Sequence, residues 1–333
     1  MALTINDQSY IGKFASAYWT PVLFEQDTIK KGVINIIDNI KEPGFNIGNI
    51  DFSGGLQPRQ AMPTQEDGTW TVDKKILKPQ SAMVFTTFNP AQLEQHWESM
   101  NLSELMLERK LPAKFESYVM YMMMGRVFEQ LETGWWMSSK DYQALTDHTD
   151  SRYHIQFFDG IIKQLVNDGS VWQVASPVTI TNSNINAALD GCINLLATNK
   201  KGLLSKSSAY KRMKFLISVN TWNLFTQYLV NSTYKGINFE EKPIMNWKGF
   251  KIEVLNGFPD NTVLFGEFIS DFEGALHIGM NNSDDENTIQ LAKYRPEGEL
   301  YFVKALLKLD VQYKYGNEIA MYTTLTAASF QVS

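Results

Sequence analysis

Residues of the types that carry catalysis or bind metals are few and scattered along this chain. There is one cysteine, Cys192, and there are four histidines, His96, His148, His154 and His277. A single thiol excludes an intrachain disulfide framework, and so few thiol and imidazole ligands make a Cys/His zinc cluster impossible. The densest group is DHTDSRYH, where Asp147, His148 and Asp150 have ligand chemistry. It lies between helical patterns with no strand or cap to fix its geometry, so it reads as a surface connection. The acidic run Asn281 to Asn287 lacks the alternating oxygen ligands, central glycine and closing glutamate of an EF-hand loop and reads as a solvated loop. Cys192 falls on the apolar side of a helical pattern with no histidine near it in sequence, as a small core hydrophobe does.

Phosphate-cradling glycine loops, the G-x-S-x-G elbow and H-E-x-x-H are all absent. Carboxylate pairs for acid–base chemistry are brought together by folding rather than spacing, and none can be named. The expectation is therefore no catalytic residue, no cofactor and no metal, and the elements themselves become the subject.

From Asp51 to Gln65 the sequence reads DFSGGLQPRQAMPTQ, with Gly54, Gly55, Pro58 and Pro63 and little that a core could use. It runs on to the turn signal Glu66-Asp67-Gly68 and then to Thr69-Trp70-Thr71-Val72-Asp73, which alternates like a strand with one covered face. The span Gly48 to Leu77 is thus expected to form a long projecting hairpin, far longer than the usual connection of roughly 2 to 8 residues. A strand-like run at Val33 to Ile37, ended by Pro43-Gly44, precedes it.

Leu111-Pro112 opens the strongest helix signal, expected to run to Thr133-Gly134. Met120, Met123, Met124, Val127 and Leu131 fall at helical spacing, and the cluster Met122-Met123-Met124 reads as core filler rather than a soft-metal site. Two further helices are expected, from Phe157 to Val166 and from an N-cap at Ser183 through Cys192 and Leu196. Strands follow at Phe215 to Val219, Phe250 to Leu255 and Thr262 to Phe268, with a helix from Asn220, as in a mixed sheet-and-helix lobe. Apolar or aromatic residues then occupy every odd position from Tyr301 to Tyr315, which is a strand of about 50 Å. Its even positions, including Lys304, Lys308, Asp310, Gln312 and Lys314, are expected to face away.

With 333 residues and 44% hydrophobic content, the chain can bury a large core, so disorder is not expected. A net charge of -6 argues against coating nucleic acid by dense phosphate neutralisation. Neither a signal peptide nor a stretch of roughly 18 apolar residues is present, so no membrane partner is expected and the product reads as cytoplasmic and uncleaved.

The order of these segments resembles the HK97-like major capsid proteins of tailed bacteriophages, an α+β fold with an N-arm, an E-loop hairpin, a spine helix, a P-domain and an A-domain. FDGIIKQLVNDG at Phe158 to Gly169 is similar to a P-domain segment of that family. VTITNSNINAALDGCINLL at Val178 to Leu196 is similar to the helix entering the A-domain. FLISVNTWNLFTQYL at Phe215 to Leu229 and WKGFKIEVLNGFPDNTVLFGEF at Trp247 to Phe268 are similar to the A-domain pattern.

The resemblance implies an N-arm and first strand at 1–47, an E-loop at 48–77, a P-domain at 78–182 with its spine helix at 112–133, an A-domain at 183–295, and a terminal strand at 296–333 returning to the P-domain. It implies a non-enzymatic shell protein forming pentamers and hexamers around double-stranded DNA, located in the virion capsid and assembled in the host cytoplasm. Intersubunit contact is then expected at Gly54, Gly55, Pro58, Arg59, Asp67, Gly68, Trp70, Lys74 and Lys75. Portal or decoration partners are separate proteins, and so is any scaffold, because no charged helical segment precedes the arm. Some family members cross-link an E-loop lysine to a neighbour's asparagine with help from a glutamate. Lys74 and Lys75 lie on the hairpin, but no such partners can be matched, so cross-linking is not expected. Two other readings stay open: an encapsulin-type nanocompartment shell, and a soluble α/β enzyme with an unrecognised site.

Overall fold

A computed structural model describes residues 8–10, 25–40, 43–52, 55–56, 58–59, 68–89, 115–206, 208–231, 245–281, 289–295 and 300–332. The strands are β1 (Gln8–Tyr10), β2 (Asn35–Ile37), β3 (Phe45–Phe52), β4 (Trp70–Leu77), β5 (Gln80–Phe88), β6 (Trp172–Gln173), β7 (Met213–Ser218), β8 (Asn246–Trp247), β9 (Phe250–Leu255), β10 (Thr262–Glu267), β11 (Leu276–Met280), β12 (Ile289–Lys293), β13 (Tyr301–Tyr313) and β14 (Ala320–Thr323). The helices longer than one turn are α1 (Phe115–Met137), α2 (Ile161–Asn167), α3 (Ile185–Asn199) and α4 (Val219–Asn231).

Strand β13 organises the first sheet. Its 13 residues span about 43 Å, and from Val303 to Tyr313 every odd-numbered side chain is buried. One edge pairs with β5 from Tyr301 to Leu309. The other edge carries β12 and then β11, end to end. Outside these, β1 pairs with β12 and β2 lies parallel to β11. The strand stops two residues short of the expected Tyr315. Lys314 does not face away: it is buried, donates its Nζ to the Phe272 carbonyl at 3.2 Å, and its backbone N–H reaches the Ala275 carbonyl.

The second sheet has the order β6-β14-β10-β7-β9-β8. Parallel β7 and β9 are joined through α4, and α3 and α4 pack against this sheet over a core of Cys192, Phe215, Phe225, Ile252 and Phe265. Two placements cut across the expected segments. β11 and β12 fall within 183–295 yet belong to the sheet of β13, while β14, within 296–333, joins the second sheet.

Helix α1 buries Met120, Met124, Val127, Leu131 and Trp135, spaced four, three, four and four residues apart on one face. Met123 is half-buried, and Met122 is open to solvent rather than in the core. The expected stop at Thr133-Gly134 is wrong, because the helix continues to Met137. A helical glycine costs about 1 kcal/mol, less than is gained by burying the two indoles that follow. Trp135 stacks on Phe158 at 5.6 Å and Trp136 meets Phe258 edge-on at 4.9 Å. The expected start at Pro112 lies outside the described residues.

The F-D-G-I segment explains the return of the chain beneath α1. Phe158 is buried, and Asp159 accepts from the Lys140 N–H at 3.0 Å and from Lys163 Nζ at 2.7 Å. Gly160 lies so close that a Cβ would stand 2.6 Å from the Trp136 carbonyl oxygen. Helix α2 therefore begins at Ile161, after this close approach, and not at Phe157. Likewise α3 begins one residue later than expected: Asn184 is the N-cap, with its Oδ1 accepting from the Thr181 N–H at 2.7 Å.

A short strap, residues 25–34, ties the two sheets together through buried polar contacts. The Glu132 carboxylate of α1 accepts from the Thr28 hydroxyl at 2.8 Å and from the Asp27 and Thr28 backbone N–H groups. Burial pushes its pKa up, with these hydrogen bonds opposing. Gln26 accepts from the Trp135 indole. Lys214 of β7 reaches the carbonyls of Lys31 and Gly32, and Lys31 reaches the Val254 carbonyl of β9.

Candidate functional site

The candidate site is built on the hairpin β3–β4. Eight consecutive pairs, from Phe45↔Leu77 to Phe52↔Trp70, hold it in antiparallel register. The expected hairpin is present and begins slightly earlier, at Phe45. Its far turn at Glu66-Asp67 lies outside the described residues, as do Gly54 and most of 53–67.

Strand alternation gives the hairpin two unlike faces. On the body side Ile47 and Leu77 are fully buried with Ile40, and Phe45 meets Phe272 edge-on at 6.1 Å. Leu77 fills a notch over β11, where a Cβ added to Gly279 would come within 2.5 Å of its side chain. The other face carries Ile50, Phe52, Trp70, Val72 and Ile76, with Trp70 67% and Ile50 64% exposed. Phe52 and Trp70 cover each other in part, with ring centroids 4.6 Å apart. The expectation that Trp70 and Val72 mark a covered face is thus corrected, since among the described residues nothing covers it. Solvated sheet faces are ordinarily polar, and a contiguous apolar one marks a contact surface.

At the hairpin base, Lys75 is not a loose surface lysine. Its Nζ lies 3.3 Å from Asp168 Oδ2 and 3.1 Å from the centre of the Tyr313 ring. Tyr313 donates its hydroxyl to the same carboxylate, and the Ser170 N–H donates to Asp168 Oδ1 at 2.8 Å. Burial opposes ionisation of Asp168. The hydrogen bonds from Tyr313 and Ser170, with the Lys75 charge, outweigh it and bring the carboxyl down to about 2. Burial and the adjacent Asp168 push the Tyr313 phenol well up. Lys75 is thus engaged by a carboxylate and an aromatic face at the hairpin base. Next in sequence, the Lys78 N–H donates to Asp310 Oδ2 of β13 at 2.7 Å. Burial raises the Asp310 pKa to about 6, against hydrogen bonds from the Lys78 and Val311 backbone.

No protein-family model and no curated protein matches the sequence. Solved structures do. A chain of the capsid of a native GTA particle superposes with a TM-score of 0.57 at 9% identity, covering 90% of both chains. A chain of the satellite phage P4 procapsid, a particle that includes the size determination protein, gives 0.54 at 9%, covering 93% of this chain and 99% of that one. The cyanophage A-1(L) capsid gives 0.54 at 12%, covering 90% and 93%. The fold is the HK97-like capsid fold. At these identities the likeness lies in the path of the backbone.

Within this HK97-like fold, the expected contact residues divide. Pro58, Arg59, Gly55, Gly68, Trp70 and Lys74 are described and exposed, while Lys75 is engaged at the base. Gly54 and Asp67 lie outside the described residues. Ile50, Phe52, Val72 and Ile76 were not among the expected site residues, although the alternation that placed Trp70 places Val72 and Ile76 on the same face.

Other chemistry is structural. The loop of His148 and His154 is locked by its own carboxylates: Asp147 accepts from Thr149, and Asp150 holds Arg152. Among the described residues no three His, Cys, Asp or Glu side chains come together as a metal site. His277 is buried, and burial first, then Lys314, brings its pKa down to about 4, so it sits neutral beside Asn35. Among the described residues no helix is long and apolar enough to cross a membrane.

Proposed function

We propose that the chain is a major capsid protein that self-assembles into pentamers and hexamers of an icosahedral shell enclosing double-stranded DNA. The observation that carries this reading is the uncovered apolar face of a projecting hairpin on an HK97-like fold. A lone subunit leaves much of Ile50, Phe52, Trp70 and Val72 in water, whereas a neighbour lying against them would bury them. Residues 1–47 would serve as the N-arm and first strand, 48–77 as the E-loop and α1 as the spine. The sheet of β13 would form the P-domain, and the sheet of β7, with α3 and α4, most of the A-domain. The expected contacts at Gly54, Gly55, Pro58, Arg59, Asp67, Gly68, Trp70, Lys74 and Lys75 belong to this proposal, with Ile50, Phe52, Val72 and Ile76 added.

The net charge of -6 suits a wall that contains DNA without adhering to it. Separate scaffolding, portal or decoration proteins would complete a virion put together in the host cytoplasm. The reading requires no catalytic residue. The test is negative-stain microscopy and size-exclusion chromatography of the purified full chain, beside a form lacking Gly54 to Gly68. Pentamers, hexamers or closed shells from the full chain, and a folded but poorly assembling deletion, are expected. A full chain that stays a compact monomer or dimer at every concentration would sink the proposal.

A further inference from the structure

The hairpin is a lever with a built base. Its outer pairs, Ile50↔Val72 and Phe52↔Trp70, have both partners exposed, while its inner end is seated in the body by Ile47, Lys75 and Leu77. With eight residues to a strand it reaches about 27 Å, so an angular play of about 10° at the base would move its end by about 5 Å, more than a packed contact tolerates. The apolar plug of Leu77, Ile40 and Ile47 resists lifting but gives little resistance to rocking, because dispersion contacts are non-directional. Directional contacts are needed to set an angle; beside the Lys78 N–H to Asp310 bond just past β4, those of the hairpin's own side chains gather at Lys75.

We infer that the Lys75–Asp168–Tyr313 cluster is a latch that sets the angle at which the hairpin leaves the body. Three elements converge on it: β4 supplies Lys75, the turn after α2 supplies Asp168, and the end of β13 supplies Tyr313. Asp168 is itself positioned before Lys75 arrives. Its Oδ1 takes the Ser170 N–H and its Oδ2 takes the Tyr313 hydroxyl. The turn after β13 approaches so closely that a Cβ on Gly316 would stand 2.8 Å from Asp168 Oδ2 and 2.2 Å from Ser170 Oγ. Lys75 then meets a fixed carboxylate on one side and a fixed aromatic face on the other, two restraints in different directions. Lys74, the preceding residue, is exposed on the opposite face and supplies the internal control.

The inference deepens the proposed capsid role, and its first test does not depend on assembly. Amide hydrogen exchange of the unassembled full-length chain is compared for wild type, Lys75→Gln, Tyr313→Phe, Lys75→Arg and Lys74→Gln. Lys75→Gln and Tyr313→Phe are expected to speed exchange across β4 by roughly fivefold to tenfold, the factor for losing a charge-assisted hydrogen bond in a half-buried site. Lys75→Arg should restore most of the protection, and Lys74→Gln should leave it unchanged. Melting temperatures near wild type would show that the body is intact. Should Lys75→Gln fail to fold, Tyr313→Phe, which keeps the ring, decides the matter. Exchange in β4 that is unmoved by both variants, or moved equally by Lys74→Gln, overturns the latch. Particle size by electron microscopy is the second readout, with a broader size distribution expected for the latch variants. A wild type that never assembles would count against the capsid role, and the exchange data would still judge the latch.

Discussion

Replacing Trp70 by alanine tests whether this residue holds subunits to each other, as proposed, or holds its own subunit together. Trp70 is 67% exposed. A tryptophan offers at most roughly 250 Å², so about 170 Å² of it awaits a partner. At about 25 cal/mol per Å², and allowing for the area alanine retains, truncation removes about 3 kcal/mol from each contact the hairpin makes. That corresponds to a pairwise association about a hundredfold weaker. Among the described residues the change removes the ring contact with Phe52, worth about 0.5–1 kcal/mol, and melting should fall by about 2 °C. Sedimentation velocity over a concentration series gives the assembly threshold, and circular dichroism gives the melting temperature. An unchanged threshold would refute the assignment of this face to subunit contact. A fall in melting temperature above about 10 °C would show instead that Trp70 is packed within its own chain.

Three further outcomes follow from the interior. Gly160→Ala drives a methyl group into the Trp136 carbonyl and should destabilise the subunit by about 2 kcal/mol or more, seen as a lower urea midpoint with an unchanged slope. Asp310, with its folded pKa raised to about 6 from 3.8, holds its proton longer when folded. Its contribution to stability is therefore greatest in acid and is lost as pH rises through about 6, by something of the order of 2 kcal/mol. Asp310→Asn should flatten the stability profile between pH 4 and pH 7, and urea titrations at those pH values check it. Cys192 is fully buried with its thiol pushed up to about 12, so a thiol reagent should label it only at the rate of unfolding, and Cys192→Ser should leave assembly intact.

Regular patterning was legible in the sequence wherever one element decides its own environment. Alternation revealed β13 and β4, and helical spacing revealed α1 and α3, because burial on one face imposes a period on the residues. The end of α1 was misread because Thr133-Gly134 is a local stop signal, whereas Trp135 and Trp136 answer to Phe158 and Phe258, which only the folded chain brings near. The grouping of strands into sheets was illegible for the same reason. Nothing local tells Leu276–Met280 to pair with β13 or Ala320–Thr323 to join β10. At the candidate site, the projecting hairpin could be read directly, but its bare face was taken for a covered one, since alternation shows that two faces differ and not which is wet. Lys75 looked ordinary because Asp168 lies 93 residues away, and Tyr313 is farther still.

Strand β5 has a consequence for the life of the newly made chain. Its nine residues, QSAMVFTTF, include no charge and no proline, and among the described residues they pair only with β13. Met83 and Phe85 on it are open to water, as is the bare face of the neighbouring hairpin. Charges and prolines are the usual guards against chance strand-to-strand sticking, and this edge has neither. If the chain assembles as proposed, each fresh subunit would be in a race between meeting its neighbour and clumping at random. Slow synthesis, low temperature or a co-expressed companion should favour soluble product, and crowded overproduction should favour inclusion bodies.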